Sequence, residues 1–85
     1  NFHVLFLHDP APSPERDCVD AVYGRMIERA QAAGGTCTGE HGIGLGKRDA
    51  LLDEFGPGTL SLMRAIKQAW DPLGLMNPGK ILPDA

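Results

Sequence analysis

The sequence has few cysteines, few aromatic residues and no long apolar run. Its two cysteines among 85 residues, Cys18 and Cys37, are too few for a disulfide framework and form no CxxC motif. We therefore expect reduced thiols, with Cys37 as a small buried residue. The apolar run at residues 4–7 is far shorter than the ~18–20 residues that a membrane-crossing helix needs. The sequence predicts neither a disulfide-stapled domain nor a membrane span.

Basic charge is also scarce. Eight Lys and Arg against eleven Asp and Glu give a net charge of −3, and no basic stretch is long enough to follow a phosphate backbone. We therefore expect no nucleic-acid partner. The composition is 42% hydrophobic and 22% charged, which is typical of a folded chain. At this length the sequence predicts one small domain with a marginal core.

Residues 1–9 are rich in Phe, Val and Leu, in a pattern typical of a strand that is covered on both faces. Prolines at positions 10 and 12 end this pattern. No later segment has a second long strand pattern, so a larger parent protein or an oligomer would supply the neighbouring strand. Because the strand pattern begins directly at Asn1, we expect the sequence to be a fragment.

Helical patterns follow. Ser13-Pro14-Glu15 is a typical helix start, and Gly34-Gly35 a typical helix end. A short helix at residues 47–55 is then separated by Gly56-Pro57-Gly58 from a clearer one at residues 59–70. The sequence predicts an α+β fold with one strand, two to three helices and a glycine-rich loop. The apolar face of the last helix would contain Leu62, Met63, Ile66, Ala69 and Trp70.

The glycine-rich loop at residues 36–47 is the part of the sequence that is most informative about function. It places the carboxylate of Glu40 next to the imidazole of His41, among glycines that allow the backbone to approach a ligand closely. A Walker loop would need glycine in place of His41, and a dinucleotide fingerprint would need glycine in place of Lys47. A flexible connector is the alternative interpretation of its composition.

Imidazole and carboxylate groups suit a divalent metal such as zinc, manganese or iron, and such sites need three or more protein ligands. His3 and His8 are five residues apart, so on a regular strand they face opposite sides and cannot share one ion. At most one of them joins Glu40, which leaves the site one ligand short. His41 also suits a general base, because imidazole titrates near neutral pH. A hydrogen-bonded or exposed histidine is the alternative for each.

Three blocks of the sequence resemble one family in the same order. They are Asn-Phe-His at residues 1–3, Thr-Cys-Thr-Gly-Glu-His-Gly-Ile-Gly at residues 36–44, and Asp71-Pro72 followed by Asn-Pro-Gly-Lys at residues 77–80. Together they are similar to the C-terminal end of the FAD-linked 2-hydroxy-acid dehydrogenases. This is the family of D-lactate dehydrogenase (cytochrome) and the flavin subunit of glycolate oxidase, within the vanillyl-alcohol oxidase superfamily. The resemblance implies that residues 1–85 are the C-terminal part of an antiparallel-sheet cap domain that binds substrate, without the FAD-binding domain.

The same resemblance implies roles for individual residues. His3 would be the second of two histidines that, with Glu40, hold a divalent metal, zinc or manganese; the first histidine would precede Asn1. His41 would be the catalytic residue, taking the hydroxyl proton of a small 2-hydroxy acid while hydride passes to FAD. Leu5 stands where D-2-hydroxyglutarate dehydrogenases have asparagine, which favours a smaller or more apolar acid such as D-lactate or glycolate.

Asn77 and Lys80 lie in the terminal block that the resemblance places near the FAD cofactor. The implied parent is a flavin-dependent dehydrogenase, cytoplasmic or attached to the inner membrane surface, with an unidentified electron acceptor. The fragment alone is expected to be inactive. Two alternatives stay open: a free-standing module that oligomerises by strand pairing, and a small metal-binding domain.

Overall fold

The computed structural model describes residues 1 and 3–83, which contain two helices joined by loops. Helix α1 spans Pro14–Ala32, and helix α2 spans Arg48–Trp70. The chain divides into two compact units: Asn1–Glu40, which contains α1, and His41–Ala85, which contains α2. Neither helix in this part of the chain is long and apolar enough to cross a membrane.

The predicted strand at residues 1–9, and with it the α+β class, is wrong. Residues 3–9 have no regular secondary structure, and the described residues form no strand. A strand exists only as part of a hydrogen-bonded ladder, and no described segment pairs with this one. Leu5 and Leu7 are 88% and 96% exposed, so the apolar pattern is not buried here. The strand-pairing alternative therefore has no strand in the described part of the chain; Phe2 lies outside it.

Helix α1 begins and ends as predicted because both of its ends are capped. The Ser13 side chain accepts a hydrogen bond from the N–H of Arg16 at 3.2 Å. At the other end Gly34, at φ +80°, donates to the carbonyl three residues earlier at 3.0 Å. Gly35 donates to the carbonyl five residues earlier at 2.8 Å. These two bonds form a Schellman motif, which satisfies carbonyls that the helix end leaves open.

Helix α2 is broken at Gly56, as the Gly-Pro-Gly pattern predicts. Gly56 has φ +76° and ψ 169°, far from helical values, and the Pro57 that follows has no N–H to donate. One leucine is buried on each side of the break, Leu51 at 5% exposure and Leu60 at 0%. Cys37 in the first unit is also buried, as predicted, and neither Cys18 nor Cys37 forms a disulfide.

The predicted apolar face of the last helix is wrong in large part, since Leu62, Ile66 and Trp70 are 64%, 55% and 83% exposed. The side of this helix that is more buried instead contains Leu60, Arg64 and Lys67, which are spaced three and four residues apart. Arg64 donates to the carbonyl of Pro83 at 2.7 Å, and Lys67 donates to that of Met76 at 2.6 Å. Hydrogen bonds to the tail decide which side of this helix is covered, and apolar patterning alone does not reveal them.

Candidate functional site

His3 and Glu40 meet within the first unit. Nε2 of His3 lies 2.9 Å from Oε1 of Glu40, and the two side chains are 54% and 57% exposed. The ring nitrogen donates a hydrogen bond to the carboxylate, because an ionised carboxylate has no proton to donate. This contact joins the N-terminal segment to the loop that precedes α2, and it leaves both side chains accessible to a solute.

The side chain of Asn1 approaches the backbone of Gly39 closely, next in sequence to Glu40. A Cβ atom at Gly39 would lie 2.1 Å from Oδ1 and 2.6 Å from Cγ of Asn1, distances that real Cβ atoms do not show. A larger residue at position 39 would therefore displace the Asn1 side chain, which lies against the loop beside Glu40. The sequence pattern predicts a close approach by the loop glycines, although to a ligand and not to the chain's own N-terminal segment.

The neighbouring polar groups occupy different surroundings. Oγ1 of Thr38 is buried and has no hydrogen-bond partner among the described residues. His8 is bonded locally, its Nδ1 donating to the carbonyl of Asp9 at 2.9 Å. His41 directly follows Glu40 in the chain and is exposed at the start of the second unit. The catalytic role of His41 stays a prediction.

The chemistry of His3 and Glu40 fits a divalent metal. Imidazole nitrogen and carboxylate oxygen are ligands that zinc and manganese accept, and both groups are accessible. Metal sites of this kind need three or more protein ligands, so the pair forms part of a site. The metal-binding roles of His3 and Glu40 stay predictions.

In the second unit, Asp71 immediately follows α2 and is 7% exposed. Its Oδ1 accepts from the N–H of Leu75 at 2.9 Å, and its Oδ2 accepts from the N–H of Met76 at 2.9 Å and from Nζ of Lys67. These bonds, with the one from Lys67 as the largest cause, lower the pKa of Asp71 from 3.8 to about 2. The carboxylate is therefore ionised at neutral pH.

Lys67 completes this arrangement, because its Nζ also donates to the carbonyl of Met76 at 2.6 Å. The backbone of Met76 is thus held on both sides: its N–H by Asp71, its C=O by Lys67. We call Lys67, Asp71 and the backbone of Met76 the Asp71 clamp. The sequence pattern identifies Asp71-Pro72 only as a helix end, although a lysine four residues before an acid and a glycine three residues after it are a usable signal.

The turn at residues 77–80 directly follows the clamp. Asn77 has φ +46°, in the left-handed region that asparagine tolerates better than most residues. The N–H of Lys80 donates to the carbonyl of Asn77 at 3.4 Å, and Nη1 of Arg48 donates to the carbonyl of Gly79 at 3.3 Å. The turn is therefore attached to both ends of α2, through Arg48 and through the clamp.

A cavity of about 380 Å³ lies beside this turn. This volume is within the range of small-molecule sites, about 300–1,000 Å³. Lys67, Asn77 and Lys80 supply its polar groups. Asn77 and Lys80, which the family resemblance places near the cofactor, therefore line one cavity, and their contact with FAD stays a prediction. The remaining lining is apolar: Met63, Ile66, Met76, Ile81 and Leu82.

Comparison with known proteins identifies the family. Residues 1–81 match the family model described as FAD linked oxidases, C-terminal domain. The chain belongs to this family. The match confirms the resemblance drawn from the three sequence blocks, and it identifies the chain as C-terminal-domain material of an FAD-linked oxidoreductase family.

Individual relatives in this family are named after oxidation of 2-hydroxy acids. The chain is 50% identical over 82 residues to "Probable D-lactate dehydrogenase, mitochondrial" of Danio rerio, covering 96% of this chain and 16% of that protein. It is 49% identical over 81 residues to "D-lactate dehydrogenase [cytochrome] 1, mitochondrial" of Saccharomyces cerevisiae, covering 95% and 14%. It is 36% identical over 83 residues to "Glycolate oxidase subunit GlcD" of Escherichia coli (strain K12), covering 98% and 17%.

The chain spans about a sixth of the length of these relatives. The Danio rerio and Saccharomyces cerevisiae proteins are named mitochondrial, so the cytoplasmic prediction does not describe them. The name of the bacterial relative states no compartment. The compartment of this chain stays a prediction.

Proposed function

We propose that this chain forms the substrate-domain end of an FAD-linked dehydrogenase that oxidises a small D-2-hydroxy acid, D-lactate or glycolate, to the 2-oxo acid. Family membership and the names of the relatives support the reaction class. The single structural observation that carries the proposal is the 2.9 Å contact between His3 and Glu40, next in sequence to His41. Without that contact, the three residues would be a sequence pattern only.

In the proposed site, His3 and Glu40 hold a divalent cation, zinc or manganese, with a further ligand from another part of the protein. A bound cation supplies a Lewis acid for the hydroxyl and carboxylate oxygens of the acid and lowers the pKa of the hydroxyl. To act as a ligand through Nε2, the imidazole of His3 would carry its proton on Nδ1, and Glu40 would offer a carboxylate oxygen to the cation in place of its contact with His3. The exposure of both side chains allows this exchange.

His41 is the proposed base. Its imidazole accepts the hydroxyl proton of the substrate while the α-hydrogen leaves as hydride, so the acid loses two electrons and two hydrogens. Bound FAD supplies the hydride acceptor. Asn77 and Lys80 face the cavity with an amide and an ammonium group, which suit the polar edge of a flavin.

The test is the visible spectrum of the flavoprotein that carries this chain, before and after anaerobic addition of D-lactate or glycolate. We expect bleaching of the flavin band, with the faster acid identifying the substrate. His41→Ala should abolish bleaching, whereas His8→Ala, the same change at a histidine bonded to the backbone of its neighbour, should not. A protein without flavin, or one whose flavin neither acid reduces, contradicts the proposal.

Glu40 has its own pair of variants. Glu40→Gln keeps the size of the side chain and removes its charge, so we expect loss of turnover and weaker metal binding with FAD retained. Glu28→Gln, the same change on the exposed surface of α1, should leave turnover intact. Full activity of Glu40→Gln would remove Glu40 from the site.

A further inference from the structure

We propose that Asp71 is a positioning residue for the turn at residues 77–80, acting with Lys67 by holding the backbone of Met76 in place. The inference rests on the proposed function, because Asn77 and Lys80 are the side chains proposed to reach the cofactor. Asp71 itself does not line the cavity. Its effect on the reaction therefore passes through the turn.

Asp71 is a buried carboxylate that accepts three hydrogen bonds. It is the one buried charged residue in the described part of the chain. Burial of a charge is unfavourable unless hydrogen bonds compensate it, and here one N–H on Oδ1, and one N–H and an ammonium on Oδ2, do so. Charge-assisted bonds of this type are about twice as strong as neutral ones. The carboxylate therefore holds the start of the tail firmly to the end of α2.

The clamp determines where the turn begins. Met76 is the last residue before Asn77, and both of its backbone polar groups are bonded to clamp side chains. Neither group can rotate without breaking a bond, so the peptide that leads into Asn77 has a fixed direction. Met76, Asn77 and Lys67 also line the same cavity. A shift of Met76 would consequently move the cavity wall and the two proposed cofactor contacts together.

The hydrogen bond from Arg48 to Gly79 makes it possible to distinguish a positioning role of Asp71 from a purely stabilising one. Arg48 holds the carbonyl of Gly79 at 3.3 Å, so loss of the clamp should leave the far end of the turn attached while its near end moves. The chain would then stay folded with a displaced turn. This outcome is measurable as a change at the flavin in a protein that still melts cooperatively.

The experiment compares Asp71→Asn with Asp53→Asn in the flavoprotein that carries this chain. An asparagine at position 71 offers one acceptor oxygen and an NH₂ group, so at least one of the three donors faces another donor. Asp53 is exposed on α2 and loses the same charge. Melting temperatures are measured first, and the other readouts are taken well below them: the flavin absorption maximum, flavin retention on dialysis, and kcat and KM for D-lactate.

For folded Asp71→Asn we expect a shifted flavin band or weaker flavin retention, and a fall in kcat/KM of roughly ten- to a hundredfold, the scale that a misplacement of about 1 Å produces. Asp53→Asn should match the unmodified protein. If Asp71→Asn does not fold, Lys67→Met and Lys67→Arg carry the test. Arginine keeps the charge and the donors, so it should restore part of what methionine loses.

The outcomes separate this inference from the proposed function. A folded Asp71→Asn protein with the flavin spectrum and kcat/KM of Asp53→Asn overturns the positioning role, even if its melting temperature is lower. The positioning role is also overturned if Lys67→Met and Lys67→Arg both have the flavin spectrum and kcat/KM of the unmodified protein. If D-lactate and glycolate fail to bleach the unmodified protein, the proposed function itself fails, before any variant is compared.

Discussion

Gly39→Ala tests whether the close backbone approach keeps His3 beside Glu40. The new Cβ would lie 2.1 Å from Oδ1 of Asn1, whereas ordinary contact begins at 3.4 Å, so that atom must retreat by about 1.3 Å. If His3 follows by only half as much, its 2.9 Å bond to Glu40 lengthens beyond hydrogen-bond range. Because Asn1 and Gly39 are exposed and Oδ1 is the end of a flexible side chain, we expect the free energy of unfolding to change by less than about 0.5 kcal/mol.

The effect on metal binding should be larger than the effect on stability. Loss of support around metal ligands typically weakens affinity by about 10–100-fold, and we expect Gly39→Ala to fall in this range. The assay is calorimetric titration of zinc and of manganese into the metal-free protein that carries this chain, together with thermal melting. Gly46→Ala is the matched control in the same loop, because its Cβ would meet nothing within 4 Å and its backbone is outside the left-handed region.

One result would refute this reasoning. Equal metal affinity in Gly39→Ala and Gly46→Ala would show that the close approach does not support the ligand pair. Absence of metal binding by the unmodified protein would instead remove the metal-ligand roles of His3 and Glu40.

Three further predictions concern the fold. Gly24→Ala, in the interior of α1 with open space at its Cβ, should raise the free energy of unfolding by about 0.5–1 kcal/mol in urea titrations. Leu60→Ala, at 0% exposure, should lower it by about 2–5 kcal/mol, whereas Leu62→Ala at 64% exposure should change it by less than about 0.5 kcal/mol. The melting temperature should decrease as the pH falls from about 4 to about 2, because the unfolded chain takes up the Asp71 proton near 3.8 and the folded chain only near 2. Asp71→Asn should reduce this dependence.

The helix ends were predictable from sequence because each is determined within a few residues. Ser13 caps α1 by bonding three residues ahead, and Gly56 breaks α2 through its own backbone angles. The strand at residues 1–9 was not predictable in the same way, since strand formation depends on a partner elsewhere. The exposure of Trp70 was not predicted for a similar reason. The covered side of α2 is the side on which Arg64 and Lys67 donate hydrogen bonds to carbonyls of the tail.

In the candidate site too, features set by neighbouring residues were predictable, and contacts between distant segments were not. Glu40 and His41 are recognisable because they are adjacent in a glycine-rich loop, which lies within the residues that match the family model. That His3 contacts Glu40 depends on how a segment without regular structure lies against a distant loop, and only the three-dimensional structure shows it. The clamp around Asp71 was missed because its donors are mostly backbone groups, which every residue has.

The clamp also constrains how this part of the chain can vary in length. Asp71 bonds the backbone four and five residues ahead, so the number of residues between them is fixed while their side chains are not. Leu73 and Leu75 are 79% and 75% exposed, and polar replacements there should be well tolerated. Insertion or deletion of one residue at positions 72–75 would bring a different pair of amides to the carboxylate. A library that varies this segment should therefore yield many substitutions and few changes in length.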